Sequence, residues 1–288
     1  MPSDNIFIDN RSKPLQDVVE INYGSFALDD GNYTISPEEY SQICDEDPIC
    51  AKYLRKFIGA NELIKGKDRY CLWLLDADPS DIRNSPVIRR KVEAVQSWRS
   101  SSSRKNTLEL AKTPAIFAEI RQPTTSYLAI PTICSEKRDY IPIGFLSSDV
   151  IASNQLYVLP EATLYDFGIL TSRMHMAWMR VVSGKLETRY RYSSSIVYNN
   201  FPWPNVSADI KANIEKAAKC VLDTRDKYNT LSFAELYDPI AMPYDLLKAH
   251  QDLDHEVDKA YNSKGFKTDD DRIKLLFEMY RELTCLNQ

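Results

Sequence analysis

The chain has 288 residues, 43% of them hydrophobic, and a formal net charge of -5. That length suits one large or two ordinary domains, at roughly 100 to 200 residues each. The 8 glycines exclude a collagen-like repeat, and no apolar run approaches the roughly 20 residues that cross a bilayer. The amino terminus, MPSDNIFIDN, has no charged-then-apolar leader pattern, so a cytoplasmic protein is the expectation.

In chain order, Ser36-Pro37-Glu38-Glu39 predicts a helix start, with Ser36 as cap and Pro37 in the first turn. Residues 48–57 predict a second short helix, ended by Gly59, and residues 69–75 a strand. Residues 86–98 predict a helix, with Val87, Ile88, Lys91, Val92 and Val95 at helical spacing. Four serines then break the pattern, flanked by Arg99, Arg104 and Lys105. Such a basic, hydroxyl-rich loop is either a set of phosphate contacts or a solvated connection. Four strand-like runs follow, at residues 115–120, 127–133, 140–146 and 155–159. Their gaps are too short for crossover helices, which favours an antiparallel or mixed sheet. One amphipathic helix over 161–183, ended by Gly184, turns Leu164, Phe167, Ile169, Leu170, Met174, Trp178 and Val181 toward that sheet.

Phe201-Pro202-Trp203-Pro204 cannot continue regular structure and marks the exit from this domain. The remainder predicts helices over 207–222, after Ser232, over 243–261, and after Thr268, where Asp269, Asp270 and Asp271 suit the positive end. The expected fold class is α+β: a connecting region with short helices (1–65), an antiparallel or mixed-sheet domain (66–204) and a helical carboxyl-terminal tail (205–288).

Charge separates these regions. Residues 1–82 carry 8 Lys+Arg against 16 Asp+Glu, residues 83–204 carry 16 against 9, and residues 205–288 carry 12 against 16. Only the middle block is basic. Neutralised phosphates supply most non-specific DNA affinity, so an acidic chain with one basic block can hold a duplex along that block. An ordinary solvated surface is the alternative.

Catalytic patterns are missing. The six cysteines contain no Cys-x-x-Cys pair, and His250 and His255 are five apart rather than the four a helical metal pair needs. No glycine-rich donor-binding turn, phosphate-binding loop or Gly-x-Ser-x-Gly elbow occurs. Asn200-Phe201-Pro202-Trp203 superficially resembles the base-stacking turn of adenine methyltransferases, yet has phenylalanine where the first proline belongs, and reads as structural. His175 is expected to pack at a helix-sheet boundary. Neither catalytic residues, a metal nor a cofactor is expected in this chain.

The order of elements from Tyr140 to Pro204, with its ending Arg191-Tyr192-Ser193-Ser194-Ser195-Ile196-Val197-Tyr198-Asn199-Asn200-Phe201-Pro202-Trp203-Pro204, resembles the specificity region of MmeI-like (type IIL/IIG restriction-modification) DNA adenine methyltransferases. In that class one polypeptide carries nuclease, adenine methyltransferase and target-recognition parts. The resemblance covers nearly the whole chain; it is most specific from Asp68 to Pro204 and least in the first sixty residues. It implies a sequence-specific double-stranded DNA recognition module whose partners are DNA and the catalytic methyltransferase domain of the same polypeptide, with S-adenosylmethionine used by the parent enzyme. It also implies that the tail packs against the recognition domain.

Base readers are sought on turns, where Arg pairs with guanine, Asn or Gln with adenine, and Glu or Asp with cytosine. Two segments fit: Arg121-Gln122-Pro123-Thr124-Thr125-Ser126, and Ser135-Glu136-Lys137-Arg138-Asp139. If the strand beginning at Tyr140 extends back, Glu136 and Arg138 point the same way. The resemblance places a glutamate and an arginine of this kind in specificity-setting positions; a charged hairpin is the plainer alternative. Candidate backbone contacts are Arg99, Arg104, Lys105, Lys137, Lys185, Arg189, Arg191, Ser193 and Ser194. Tyr190, Tyr192 and Tyr198 are equally explained as core aromatics with polar tips. A rival from another class is a protein-interaction module that never touches DNA.

Overall fold

The computed structural model describes residues 7–286; residues 1–6, part of the stretch read for a leader pattern, and 287–288 lie outside the described residues. The first third comprises β1 (Asn22–Tyr23), β2 (Thr34–Ile35), α1 (Pro37–Glu46), α2 (Pro48–Ala51), β3 (Leu54–Ile58), α3 (Ala60–Lys65), β4 (Tyr70–Leu72), α4 (Pro79–Asn84) and α5 (Pro86–Ser100). Local chemistry sets most of these starts. Ser36 accepts from the Glu39 amide, Asp47 from that of Cys50 and Ser85 from that of Ile88, each with proline at the first helical position.

Then come α6 (Lys105–Leu110), β5 (Tyr127–Pro131), β6 (Ile133–Cys134), β7 (Gly144–Leu146), β8 (Ile151–Ala152), β9 (Leu156–Pro160), α7 (Leu164–Thr171) and α8 (Arg173–Val182). A hairpin of β10 (Gly184–Leu186) and β11 (Arg189–Arg191) leads into a π-helical turn, Ser194–Tyr198. The tail holds α9 (Ala208–Asp226), α10 (Phe233–Leu236), α11 (Tyr244–Tyr261) and α12 (Asp269–Leu286).

Among the described residues three sheets organise the stretch 22–191, in strand orders β1-β9-β5-β7, β2-β4-β3-β8 and β10-β11-β6. Among the named strands all pairings are antiparallel except β3 with β8, so the architecture is mixed-sheet α+β with a helical tail. Strands from before residue 66 are built into these sheets: β1 pairs with β9, while β2 and β3 both flank β4.

Four sequence expectations are corrected. Residues 48–57 are a helix only as far as Ala51, because Leu54, Phe57 and Ile58 turn into the core as a strand between β4 and β8. Short apolar runs do not distinguish the two by period. Gly59 starts α3 rather than ending a helix, its N–H donating to the Glu62 carboxylate at 2.8 Å. Residues 115–120 form no strand, only a bridge from Glu119 to Phe26, although Phe117 is buried. The helix over 161–183 is two: at Ser172 the backbone is extended (φ -74°, ψ 162°), and its hydroxyl donates to the Ile169 carbonyl at 2.7 Å and caps α8.

The tail shares one core with the recognition sheets. Phe167, Leu170, Trp178 and Phe201 pack in the same cluster as Ile214, Val221, Leu253 and Leu276. Polar anchors reinforce the joint. The Arg225 guanidinium lies 5.0 Å from each of the Phe167, Phe233 and Tyr237 rings and donates to the Ile143 carbonyl at 2.7 Å. Buried Asp254 accepts from the Tyr140 hydroxyl and the Arg173 amide, both at 2.7 Å.

Candidate nucleic-acid interface

The β10–β11 hairpin and its partner β6 position the basic residues by strand parity. Directly opposed residues share a face, and the register sets Leu186 against Arg189, Gly184 against Arg191 and Arg191 against Ile133. Arg189, Arg191, Leu186 and Ile133 therefore lie on one face. Lys185, Tyr190 and buried Cys134 lie on the other, with the Lys185 ammonium 5.8 Å from the centre of the Tyr190 ring. The hairpin turns at Glu187, whose φ of 58° is left-handed and whose carboxylate pairs with Arg189 at 2.8 Å.

The arginine face borders a groove of adjoining cavities of about 560, 340 and 410 Å3. Arg121, Arg191 and Leu186 line the largest, Arg138 and Arg189 the last, and Gln155 lines all three. Lys65 lines the last cavity, whereas Arg69 is paired with Glu62 at 2.9 Å and shares the 340 Å3 cavity with Asp29 and Asp30. Arg121 carries one nearby acid, Glu119, at 2.5 Å.

Of the turn candidates, Arg121 and Arg138 reach the groove. The backbone of residues 135–138 is a turn closed by the Arg138 N–H on the Ser135 carbonyl at 3.3 Å, so Glu136 and Arg138 do not share the face of an extended strand. Glu136 is half-buried and lines none of these cavities. Gln122 is a buttress: its Nε2 donates to the carbonyls of Ser148 and Val150 at 3.1 and 2.8 Å, and its Oε1 accepts from the Ala152 amide at 3.0 Å. These bonds occupy the amide that base reading requires.

Among the backbone candidates, Arg99 is displaced most. It is fully buried and donates to five carbonyls, those of Ala27, Leu28, Leu110, Thr113 and Ile116, at 2.8 to 3.2 Å. A guanidinium has five N–H donors, so none is left for a phosphate. Ser193 bonds the Ser195 hydroxyl at 3.0 Å, and Ser194 is the half-buried first residue of the π-turn. Arg104, Lys105, Lys137 and Lys185 are exposed but line none of the three cavities.

The tempting catalytic residues are structural. Burial pushes the His175 imidazole down to about 3, and its Nε2 lies 2.8 Å from the Tyr192 hydroxyl. Asn200 donates to the carbonyls of Asp9, Ser195 and Ile196, fastening the amino-terminal segment beneath the π-turn. Sequence reasoning missed Asn154 and Gln155, exposed on the turn between β8 and β9. Their signal was the polar pair between two apolar runs, the same signal used at 121–126 and 135–139.

Comparison with known proteins decides the family. The profile described as MmeI, target recognition domain, matches residues 2–205, and that described as MmeI, C-terminal domain, matches residues 206–286. The chain belongs to the MmeI target recognition domain family. It is 39% identical over 281 residues to DNA methyltransferase A of Bacillus subtilis (strain 168), covering 98% of this chain and 32% of that protein. It superimposes with a TM-score of 0.95 and 44% identity on the type IIL restriction-modification enzyme MmeI in complex with DNA, covering 98% of this chain and 38% of that one. The chain thus spans about a third of the length of these relatives. MmeI-type membership accounts for the joint described above, since the two matched regions meet at residues 205 and 206.

Proposed function

We propose that this chain is the double-stranded DNA recognition module of a site-specific adenine-N6 methyltransferase of the restriction-modification type. In this reading it works with a catalytic methyltransferase domain of the same polypeptide, which draws on S-adenosylmethionine and carries any endonuclease activity. The observation that carries the proposal is the groove in which Arg121, Arg138, Arg189 and Arg191 converge on a rigid sheet scaffold, in a chain that superimposes on a DNA-bound enzyme. Hairpin arginines at a groove edge grip phosphates, and side chains on its floor reach base edges. The tail packs on the scaffold through α7 and α8, and its acidic balance argues against phosphate contacts along all its faces.

Fluorescence anisotropy with a labelled random-sequence duplex at two salt concentrations tests this. Two phosphate contacts, from Arg189 and Arg191, give a log-log salt slope of about -1.8; no binding at low salt counts against the proposal. A protein-interaction role has a surface of its own, since Ile240 on the loop before α11 and Tyr244 at its first position stand 96% and 81% exposed. That role predicts duplex affinity that is absent or indifferent to Arg189 and Arg191.

A further inference from the structure

Residues 7–19 form neither helix nor strand, yet they are tied down along their length. The Arg11 N–H donates to the Ser195 carbonyl at 3.0 Å and the Leu15 N–H to that of Asn199 at 2.8 Å. The side-chain amides of Asn199 and Asn200 donate back to the Arg11 and Asp9 carbonyls, both at 2.8 Å. Gln16 closes a reciprocal pair with the Trp203 backbone, accepting from its N–H at 2.7 Å and donating to its carbonyl at 3.0 Å. The Tyr198 hydroxyl donates to the Val19 carbonyl at 2.6 Å. All of these partners lie between Ser195 and Trp203. At one end the segment meets α12, where the Tyr280 hydroxyl donates to the Phe7 carbonyl at 3.4 Å and accepts from the Asp9 N–H at 3.3 Å. At the other it runs into β1, which pairs with β9, and Ser25 just beyond accepts from the Asn154 and Arg121 amides, both at 3.0 Å, at the groove.

We propose that residues 7–19 are a strap that sets the offset between the DNA groove and a catalytic domain joined ahead of it, with Gln16 and Asn199 as positioning residues; the inference rests on the DNA-recognition reading above. An untied segment of this length has a root-mean-square span of about 20 Å, so it would let the two parts drift relative to each other. Methyl transfer tolerates no such drift, since a misplacement of about 1 Å costs about 100-fold in rate. The strap removes that freedom because each of its bonds ends on the π-turn or on the Asn199–Trp203 stretch, which are themselves packed in the core shared by the sheets and the tail. Its continuation as β1 carries the same fixed position to the groove.

The test uses the full-length polypeptide and compares wild type with Gln16→Ala and Asn199→Ala. Asn200 is left intact, because it also holds the Ser195 and Ile196 carbonyls and its loss would disturb the π-turn itself. Three quantities are measured: duplex affinity by anisotropy, hydrogen exchange at Arg11 and Leu15, and methyl transfer from labelled S-adenosylmethionine to a saturating, unmethylated duplex of mixed sequence. The expected result is faster exchange at Arg11 and Leu15 and a methylation rate at saturating DNA lower by roughly 10- to 100-fold. Duplex affinity and its salt slope should stay at the wild-type values, because no phosphate contact is removed. A loss of kcat with unchanged binding is what a merely structural role does not produce. Variants whose strap exchanges freely but which methylate at the wild-type rate overturn the inference, as does a loss of rate that only follows an equal loss of duplex affinity or of folded protein. Both results leave the recognition reading standing. A wild-type polypeptide that methylates no duplex overturns that reading, and the inference with it.

Discussion

Arg99→Lys tests the buried clamp at a position where sequence leaves a phosphate contact and a solvated loop as alternatives. Lysine keeps the charge but offers three donors against the five of arginine. At least two of the carbonyls of Ala27, Leu28, Leu110, Thr113 and Ile116 would then lose their partners. A buried polar group left unpaired costs about 1 to 3 kcal/mol. Most of these carbonyls are only part-buried, so water recovers some of that, and a loss of about 3 kcal/mol is expected. For a chain of this size that lowers the melting temperature by about 6 °C. Urea titration followed by circular dichroism should show a lower midpoint with an unchanged slope. Duplex affinity per folded molecule, and its salt slope, should match wild type. A Lys variant of wild-type stability would refute the clamp, and a folded Arg99→Gln variant whose salt slope is shallower by about 0.9 would return Arg99 to the phosphate set.

The other expectations follow from the same geometry. Arg189→Gln and Arg191→Gln should each weaken duplex binding evenly over all sequences and make the salt slope shallower by about 0.9, measured by anisotropy across a salt series; a Lys185→Gln change, on the opposite face of the hairpin, should do less. Burial raises the Asp254 carboxyl from 3.8 to about 6, against the pull of the Arg173 amide and the Tyr140 hydroxyl. A folded-state pKa above the unfolded one gives stability that is complete below about pH 4 and lost as pH rises to 6, about 3 kcal/mol in all. The stability of wild type minus that of Asp254→Asn should therefore fall between those values and stay level above them; a difference constant with pH in urea titrations would refute the assignment. Gly24→Ala should unfold the turn at residues 153–155 or shift it, because the new Cβ meets the Ala152 backbone and not a movable side chain. Loss of hydrogen-exchange protection at Asn154 and Leu156 is the readout.

What was legible in the sequence was what depends on a few neighbouring residues. Helix starts at Ser36, Ser207, Ser232 and Thr268 were readable because a cap is decided within about three residues. Residues 54–57 were misread for the opposite reason: whether a short apolar run becomes helix or strand is settled by β4 and β8, the second nearly a hundred residues away. Ser172 had the chemistry of a cap inside a run of helix formers, and only the seating of α7 on α9 and of α8 against α12 shows why the chain breaks there. The interface repeats this division. Gln122 and Gln155 are the same residue type, both on turns beside strands, and nothing local distinguishes them. Gln122 faces the Ser148 and Val150 carbonyls and the Ala152 amide, so its hydrogen-bonding capacity is used internally. Gln155 lines the groove with its backbone held by Thr132 and its Oε1 beside Gly59 and the Glu62 and Arg69 head groups, with no side-chain hydrogen bond to the described residues. Arg99 and Arg191 differ in the same way, one enclosed by carbonyls and one set on a hairpin face at the groove. Composition thus nominates arginines and amides for a DNA surface, but whether each has hydrogen bonds left to give is decided by tertiary contacts that no local pattern encodes.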